Sequence, residues 1–273
     1  MTEENTTGME NTRLWRMALQ LSPQAVNVVL TSMVADSSLR QFGLPLNPSM
    51  PYMRAVEDAI YSTPEILADY GHIDLLVRTD AYTVVPASFP DDVASACGTY
   101  MQLCNADEPA ELLSDRSGDA SVVWAISTEL RNFLARTFRN APVQCHIATL
   151  LRYLSRQARH GNTRKLYAHL TADSVDIMVF GAGGSLRLAV THPAPTDTDA
   201  LYFIMACARQ AGLDVMNDEI VLCGDATRRT TMMPLVGRYA SRVMPLIFPS
   251  AALRAGREAF QAPFPLIIMP LCE

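Results

Sequence analysis

The chain has 273 residues, 49% hydrophobic and 18% charged, a composition that supports a sizeable buried core and excludes an intrinsically disordered chain. With 22 basic and 28 acidic residues the formal charge is −6, which excludes a broad basic face for nucleic acid or an anionic membrane surface. Six cysteines lie scattered in apolar contexts without a C-x-x-C spacing, so they read as small core residues and not as metal ligands or disulfides.

The opening MTEENTTGMENT, residues 1–12, is polar and expected to be frayed. It lacks the basic and apolar regions of a signal peptide, and no apolar run is long enough to span a bilayer, so the reading is a cytoplasmic protein without a membrane span. Residues 15–21 (WRMALQL) read as a strand, 22–24 as a turn, 25–34 as a β-branched strand and 38–44 as a third. Pro48 and Pro51 announce a helix whose apolar residues Met53, Val56 and Ile60 have helical spacing, with a second short helix to Tyr70.

Strands are expected at 72–78 and 82–86, and a helix capped by Asp91 or Asp92 is expected to end near Cys104. Residues 105–119 read as a polar loop, with 110–113 as a helical turn. SVVWAI at 121–126 reads as a buried strand. The next helix carries Leu130, Phe133, Leu134 and Phe138 on one face. A strand at 143–147 and a helix at 149–159 close this half, and His160-Gly161-Asn162 marks the boundary.

The three-strand pattern then restarts at 166–170, 175–180 and 186–192, with a glycine hairpin at 181–184. A helix at 197–211 stopped by Gly212, a strand at 219–223, a helix near 228–239 and a strand at 243–248 follow. The Arg228-Arg229 pair reads as a solvated helix start. The proline-punctuated tail PLIIMPL reads as an apolar edge segment, covering a sheet edge of its own chain or adding to a partner's sheet. The chain thus divides into a first unit at 13–160, with an insertion at about 79–120, and a second at 161–273.

Three meandering strands followed by alternating helices and strands make a mixed sheet covered on both faces, and two such units leave a cleft between them. This order, with VVPASFP before a helix and then WAISTELRNFLARTF and PVQCHIATLLRYL as strand–helix pairs, resembles the duplicated ribonuclease-H-like unit of the actin-like ATPase superfamily. The similarity is nearest to its PilM-like, pilus-assembly branch, and also to an uncharacterised Bacteroidales family ascribed the same fold. The resemblance implies an α/β protein of two tandem subdomains, each a five-stranded mixed sheet flanked by helices.

In ATP-hydrolysing members each hairpin carries an Asp-x-Gly, and a glycine pair follows a late strand. Carboxylates hold Mg²⁺ and glycines let backbone N–H groups approach phosphate. Against that pattern, Gln20 and His169 stand for the two aspartates, Ser22 and Thr171 for the two glycines, and Asn27 for a frequent lysine. The late strand keeps Gly224 but follows it with Asp225. The resemblance therefore implies a cleft formed by Gln20, Ser22, Asn27, His169, Thr171, Gly224 and Asp225, with no catalytic residue, no metal ligand and no resident cofactor, and a protein partner in place of chemistry. Binding of ATP and Mg²⁺ at an atypical cleft site is the alternative. His169 reads either as a cleft-facing group oriented by Asp173 or Asp225, or as a strand histidine hydrogen-bonded across the sheet.

Overall fold

Two five-stranded sheets with one strand order, each assembled from a meander and two parallel additions, form the frame of the protein in the computed structural model. The structure describes residues 11–34, 38–100, 109–254 and 256–272. The first sheet is built from β1 (Trp15–Leu21), β2 (Ala25–Ser32) and β3 (Leu39–Pro45). The helix α1 (Tyr52–Tyr61) then leads to β4 (His72–Val77). An added three-stranded sheet follows, from β5 (Tyr82–Pro86), β6 (Ala110–Ser117) and β7 (Ala120–Ser127), with α2 (Asp91–Tyr100) against it. Helix α3 (Thr128–Thr137), β8 (Val143–Cys145) and α4 (His146–Ala158) complete the first half.

The second sheet is built from β9 (Lys165–Leu170), β10 (Ser174–Phe180), β11 (Leu186–Pro193), β12 (Glu219–Gly224) and β13 (Val243–Pro245). Its helices are α5 (Asp197–Gln210) and α6 (Ala226–Val236). The orders are β3-β2-β1-β4-β8 and β11-β10-β9-β12-β13. In both, the meander is antiparallel and the last two strands are parallel, as crossover through a helix requires. Three short helices follow: α7 (Ser250–Arg254), α8 (Arg257–Gln261) and α9 (Phe264–Ile268).

Alternation along β1 divides its residues between two faces. Met17, Leu19 and Leu21 pack with Val56 and Ile60 of α1 and with Phe133 and Leu134 of α3. Ala18, together with Val29 and Leu76 from the neighbouring strands, faces the C-terminal helices. In the second sheet, Leu166, Ala168 and Leu170 lie against α5 and α6, while Tyr167, Met178 and Phe180 join the core around α4. Helix α5 starts with a full capping box, Thr196 Oγ1 accepting from Asp199 N–H and the Asp199 carboxylate accepting from Thr196 N–H.

Several expectations are corrected. Of the stretch 105–119 read as a loop with a helical turn at 110–113, residues 110–117 are the strand β6, and 105–108 fall outside the described residues. The strand pairs in unbroken register with β7 from Ala110↔Ser127 to Ser117↔Ala120. It sits at the edge of its sheet, so Glu111, Ser114 and Arg116 face water and its composition mimics a loop. Helix α4 begins at His146, not Thr149. Its first turn, from His146 to Thr149, is buried throughout, so that turn shows no helical period and reads as strand. Asp91 and Asp92 lie in the first turn of α2 and do not precede it, and residues 101–104 of the expected helix fall outside the described residues. Helix α6 starts two residues earlier than expected, and β13 ends at Pro245.

The tail is helical and not an edge strand. Pro263 precedes α9 and Pro265 falls in its first turn, where a missing N–H costs nothing. Ala259, Ala262, Leu266 and Ile267 lie on Ala18, Val29 and Leu76, so the tail covers its own chain.

Candidate functional site

The two hairpins correspond position by position. Ser22 N–H donates to Ala25 O at 3.0 Å, and Thr171 N–H donates to Ser174 O at 3.1 Å, closing the same turn twice. Beyond each turn the register sets Gln20 opposite Asn27, and His169 opposite Asp176. On the parallel side, Arg78 N–H donates to Leu21 O at 2.8 Å and Asp225 N–H to Leu170 O at 2.9 Å. Arg78 in one half therefore holds the place of Asp225 in the other.

The hairpins meet. Gln24 and Asp173, the same position of each turn, are joined by a hydrogen bond from Gln24 Nε2 to Asp173 Oδ2 of 2.6 Å. Arg78 Nη2 donates to Thr171 Oγ1 at 2.9 Å, to Asp173 Oδ1 at 2.8 Å and to Ser174 Oγ. Burial opposes the charge on Asp173, but Arg78, Gln24 and Thr171 together hold its carboxyl below the ordinary range. One guanidinium and one amide thus clasp the first half to the second.

Beside this clasp is a cleft of about 530 Å³ lined by residues of both hairpins, the turn after β12 and the tail from Phe260 to Pro265. All seven residues expected at the cleft line it: Gln20, Ser22, Asn27, His169, Thr171, Gly224 and Asp225. Their individual roles are set by local geometry. Ser22 Oγ donates to Ala25 O at 2.8 Å, and Thr171 Oγ1 accepts from Ser174 N–H at 3.2 Å, so both brace their turns. Asp225 is the N-cap of α6, its Oδ1 accepting from Arg228 N–H at 2.7 Å.

Gly224 has φ +89°, and a Cβ there would lie 2.1 Å from Leu170 O. The glycine is required by the close pairing of β12 with β9. Gln20 is buried, and its Oε1 has no hydrogen-bond partner among the described residues. Asn27 Oδ1 lies over Gly43, where an added Cβ would stand 2.9 Å away.

His169 is oriented by neither Asp173 nor Asp225. Its Nδ1 is 2.8 Å from Oδ2 of Asp176, directly across the β9–β10 ladder, as the strand-histidine reading has it. Asp176 is fully buried. Thr191 Oγ1 donates to its Oδ1 at 2.8 Å, and Tyr82 OH lies 2.9 Å from Thr191 Oγ1. His146 Nε2 on α4 stands 3.5 Å from Oδ2. Burial pushes the Asp176 carboxyl up, but the imidazoles of His146 and His169 outweigh it and hold it well below the usual range. Adjacent to His146, burial pushes the Cys145 thiol up, which makes it a core group and not a nucleophile.

Sequence reading passed over Asp176, yet counting outward from the 171–174 turn pairs it with His169. It also misjudged Arg228, which is buried. Arg228 donates from Nη1 to Thr171 O, from Nη2 to Thr196 O at 2.8 Å and from Nε to Asp197 Oδ1 at 3.1 Å. No sequence signal separates Arg228 from its half-buried neighbour Arg229.

Duplicated sheets, facing hairpins and an intervening cleft define an actin-like ATPase fold. Among solved structures the chain is similar to a protein from Bacteroides thetaiotaomicron with an actin-like ATPase fold and unknown function. The TM-score is 0.78 at 16% identity, over 94% of this chain and 96% of that one. It is also similar to the PilM–PilN type IV pilus biogenesis complex, with a TM-score of 0.57 at 12% identity, over 95% and 98% of the two chains. The family profile of DUF3822, described as protein of unknown function, matches residues 4–243, so the chain belongs to that family. No curated protein sequence matches it.

Among the described residues no helix is long and apolar enough to cross a membrane, and no three His, Cys, Asp or Glu side chains are grouped to hold a metal ion.

Proposed function

We propose that this protein is a non-catalytic, cytoplasmic scaffold or adaptor, built as two subdomains that meet near residue 160 and whose nucleotide cleft has lost its chemistry. The observation that carries this reading is the clasp of Arg78 and Gln24 on Asp173, which joins the two hairpins directly where a phosphate chain would pass between them. Magnesium needs hard oxygen ligands with charge. Gln20 offers a neutral amide, His169 is committed to Asp176, and the Asp173 carboxylate is engaged by Arg78 and Gln24. The residues present do not fit a Mg²⁺–nucleotide, and no catalytic step is assigned to one. The likeness to PilM, solved with PilN, supports a protein partner for this chain.

Thermal unfolding in the presence of ATP, ADP and Mg²⁺ tests the reading. A ligand at 100 times its dissociation constant stabilises a protein by about 2.7 kcal/mol. The expected result is an unchanged midpoint at millimolar nucleotide. A Mg²⁺-dependent rise would replace the scaffold with a nucleotide-binding protein of atypical site.

A further inference from the structure

The sheet of the second half ends on β11, an eight-residue strand whose ladder partner among the described residues is β10 alone. The bond from Ala194 N–H to Asp173 O, at 2.8 Å, fixes which way its backbone groups point. Alternation from that bond turns the N–H and C=O of Leu188, Val190 and His192 toward β10, and those of Ala189 and Thr191 outward. Such an outward row is a template for a further strand.

Two features bracket the row. At one end Arg187 is the extra residue of a bulge, since Val179 pairs with Leu188 and Phe180 with Leu186. At the other end Pro193 has no N–H to offer. Between them, residues 188–192 read LAVTH, without an acid, a lysine or an arginine. The matching positions of β3 begin with Arg40 and Gln41, polar groups of the kind that blunt an edge. Beside the β11 edge stands an aromatic ledge from α5. His192 stacks on Phe203 with ring centres 4.2 Å apart, and Tyr202, 66% exposed, meets Phe203 edge-on at 5.3 Å.

We propose that β11 is a self-association edge, on which two copies of the chain pair antiparallel about a two-fold axis at Val190. Ala189 of each copy then faces Thr191 of the other, so the outward groups between bulge and proline all find partners. Leu188 faces His192 of the second copy and lies against its ledge, while the two Arg187 side chains stand at opposite ends, so no like charges meet. A strand pair this short is marginal alone, and the two ledges supply the rest of the contact. A foreign strand would meet the same bulge and proline and bring no second ledge, which favours a second copy. Neither β11 nor Tyr202 lines the cleft, so this association does not depend on whether the cleft holds a nucleotide.

Sedimentation equilibrium of the full chain, with Ala189→Pro and Tyr202→Glu beside it, tests the proposal. The Ala189 N–H points outward, so proline there removes a bond between copies and none within the chain. The expected result is a reversible monomer–dimer equilibrium whose dissociation constant rises at least about tenfold with each substitution. Amide exchange at Ala189 and Thr191 should slow as the concentration rises through that equilibrium. Circular dichroism checks that Ala189→Pro is folded, and Tyr202→Glu, at an exposed helix position, gives the reading if it is not. A monomer at every concentration, an open-ended polymer, or a dimer untouched by either substitution would overturn the proposal.

Discussion

Replacing Gly224 by alanine is expected to abolish the native fold or lower its stability by more than about 4 kcal/mol, the range reserved for backbone or core failures. Two effects combine. The residue has φ +89°, a region in which a side chain is strained. The added Cβ would also meet the backbone, 2.1 Å from Leu170 O and 2.9 Å from Leu170 N. Backbone atoms in a parallel ladder cannot step aside as a side-chain tip does, so β12 would have to part from β9. Gly183 separates the two effects. Its φ is +86° but among the described residues nothing stands within 4 Å of an added Cβ. Gly183→Ala should therefore cost only ~1–2 kcal/mol. Urea denaturation of both variants measures the difference, and equal losses would show that the close approach at Gly224 is unimportant. A substitution at Gly224 consequently reports on the sheet and cannot report on a ligand.

The second large effect is expected at Asp176. Asp176→Ala removes the acceptor shared by His169 and Thr191 and leaves buried polar groups without partners. Breaking a buried ionic cluster in this way costs about 3–5 kcal/mol. The pH dependence has a definite sign. The folded-state pKa of Asp176 lies well below its ordinary value of 3.8. Its contribution is thus fully present above pH ~4 and is lost as pH falls through the lower folded-state value. Asp176→Asn should unfold with a shallower acid limb below pH ~4 than the wild type, because that carboxylate no longer takes up a proton on unfolding. Superimposable acid limbs would mean that Asp176 is not held as an anion.

The architecture was legible because its signal is periodic. Hydrophobic alternation, the turn residues at 22–24 and 171–174 and the glycine hairpin at 181–184 place both meanders, and the structure pairs them as expected. The cleft residues could be named for the same reason, since each lies at or near the end of a strand whose register follows from the turn. What stayed illegible lies where tertiary context overrides local pattern. The first turn of α4 is buried on all sides, β6 is a polar edge strand, and the prolines of the tail begin a helix instead of ending a strand. The roles of Arg78 and Arg228 depend on carbonyls, hydroxyls and carboxylates from distant segments, which no local spacing encodes.

A symmetry also emerges that composition conceals. The row Gln20–Asn27–Gly43 in one half corresponds to His169–Asp176–Thr191 in the other. One half keeps neutral amides against the cleft, while the other buries an anion between two imidazoles and a hydroxyl. The duplicated frame persists while its two polar rows have taken different tasks.

Release of phosphate from γ-labelled ATP by the purified full chain, with Mg²⁺ in excess, is the most direct measurement. A protein whose hairpins are clasped by Arg78, Gln24 and Asp173 should release phosphate no faster than buffer alone. Mg²⁺-dependent release that disappears in an Arg78→Met variant would contradict that account, because the clasp would then be part of a working phosphate site.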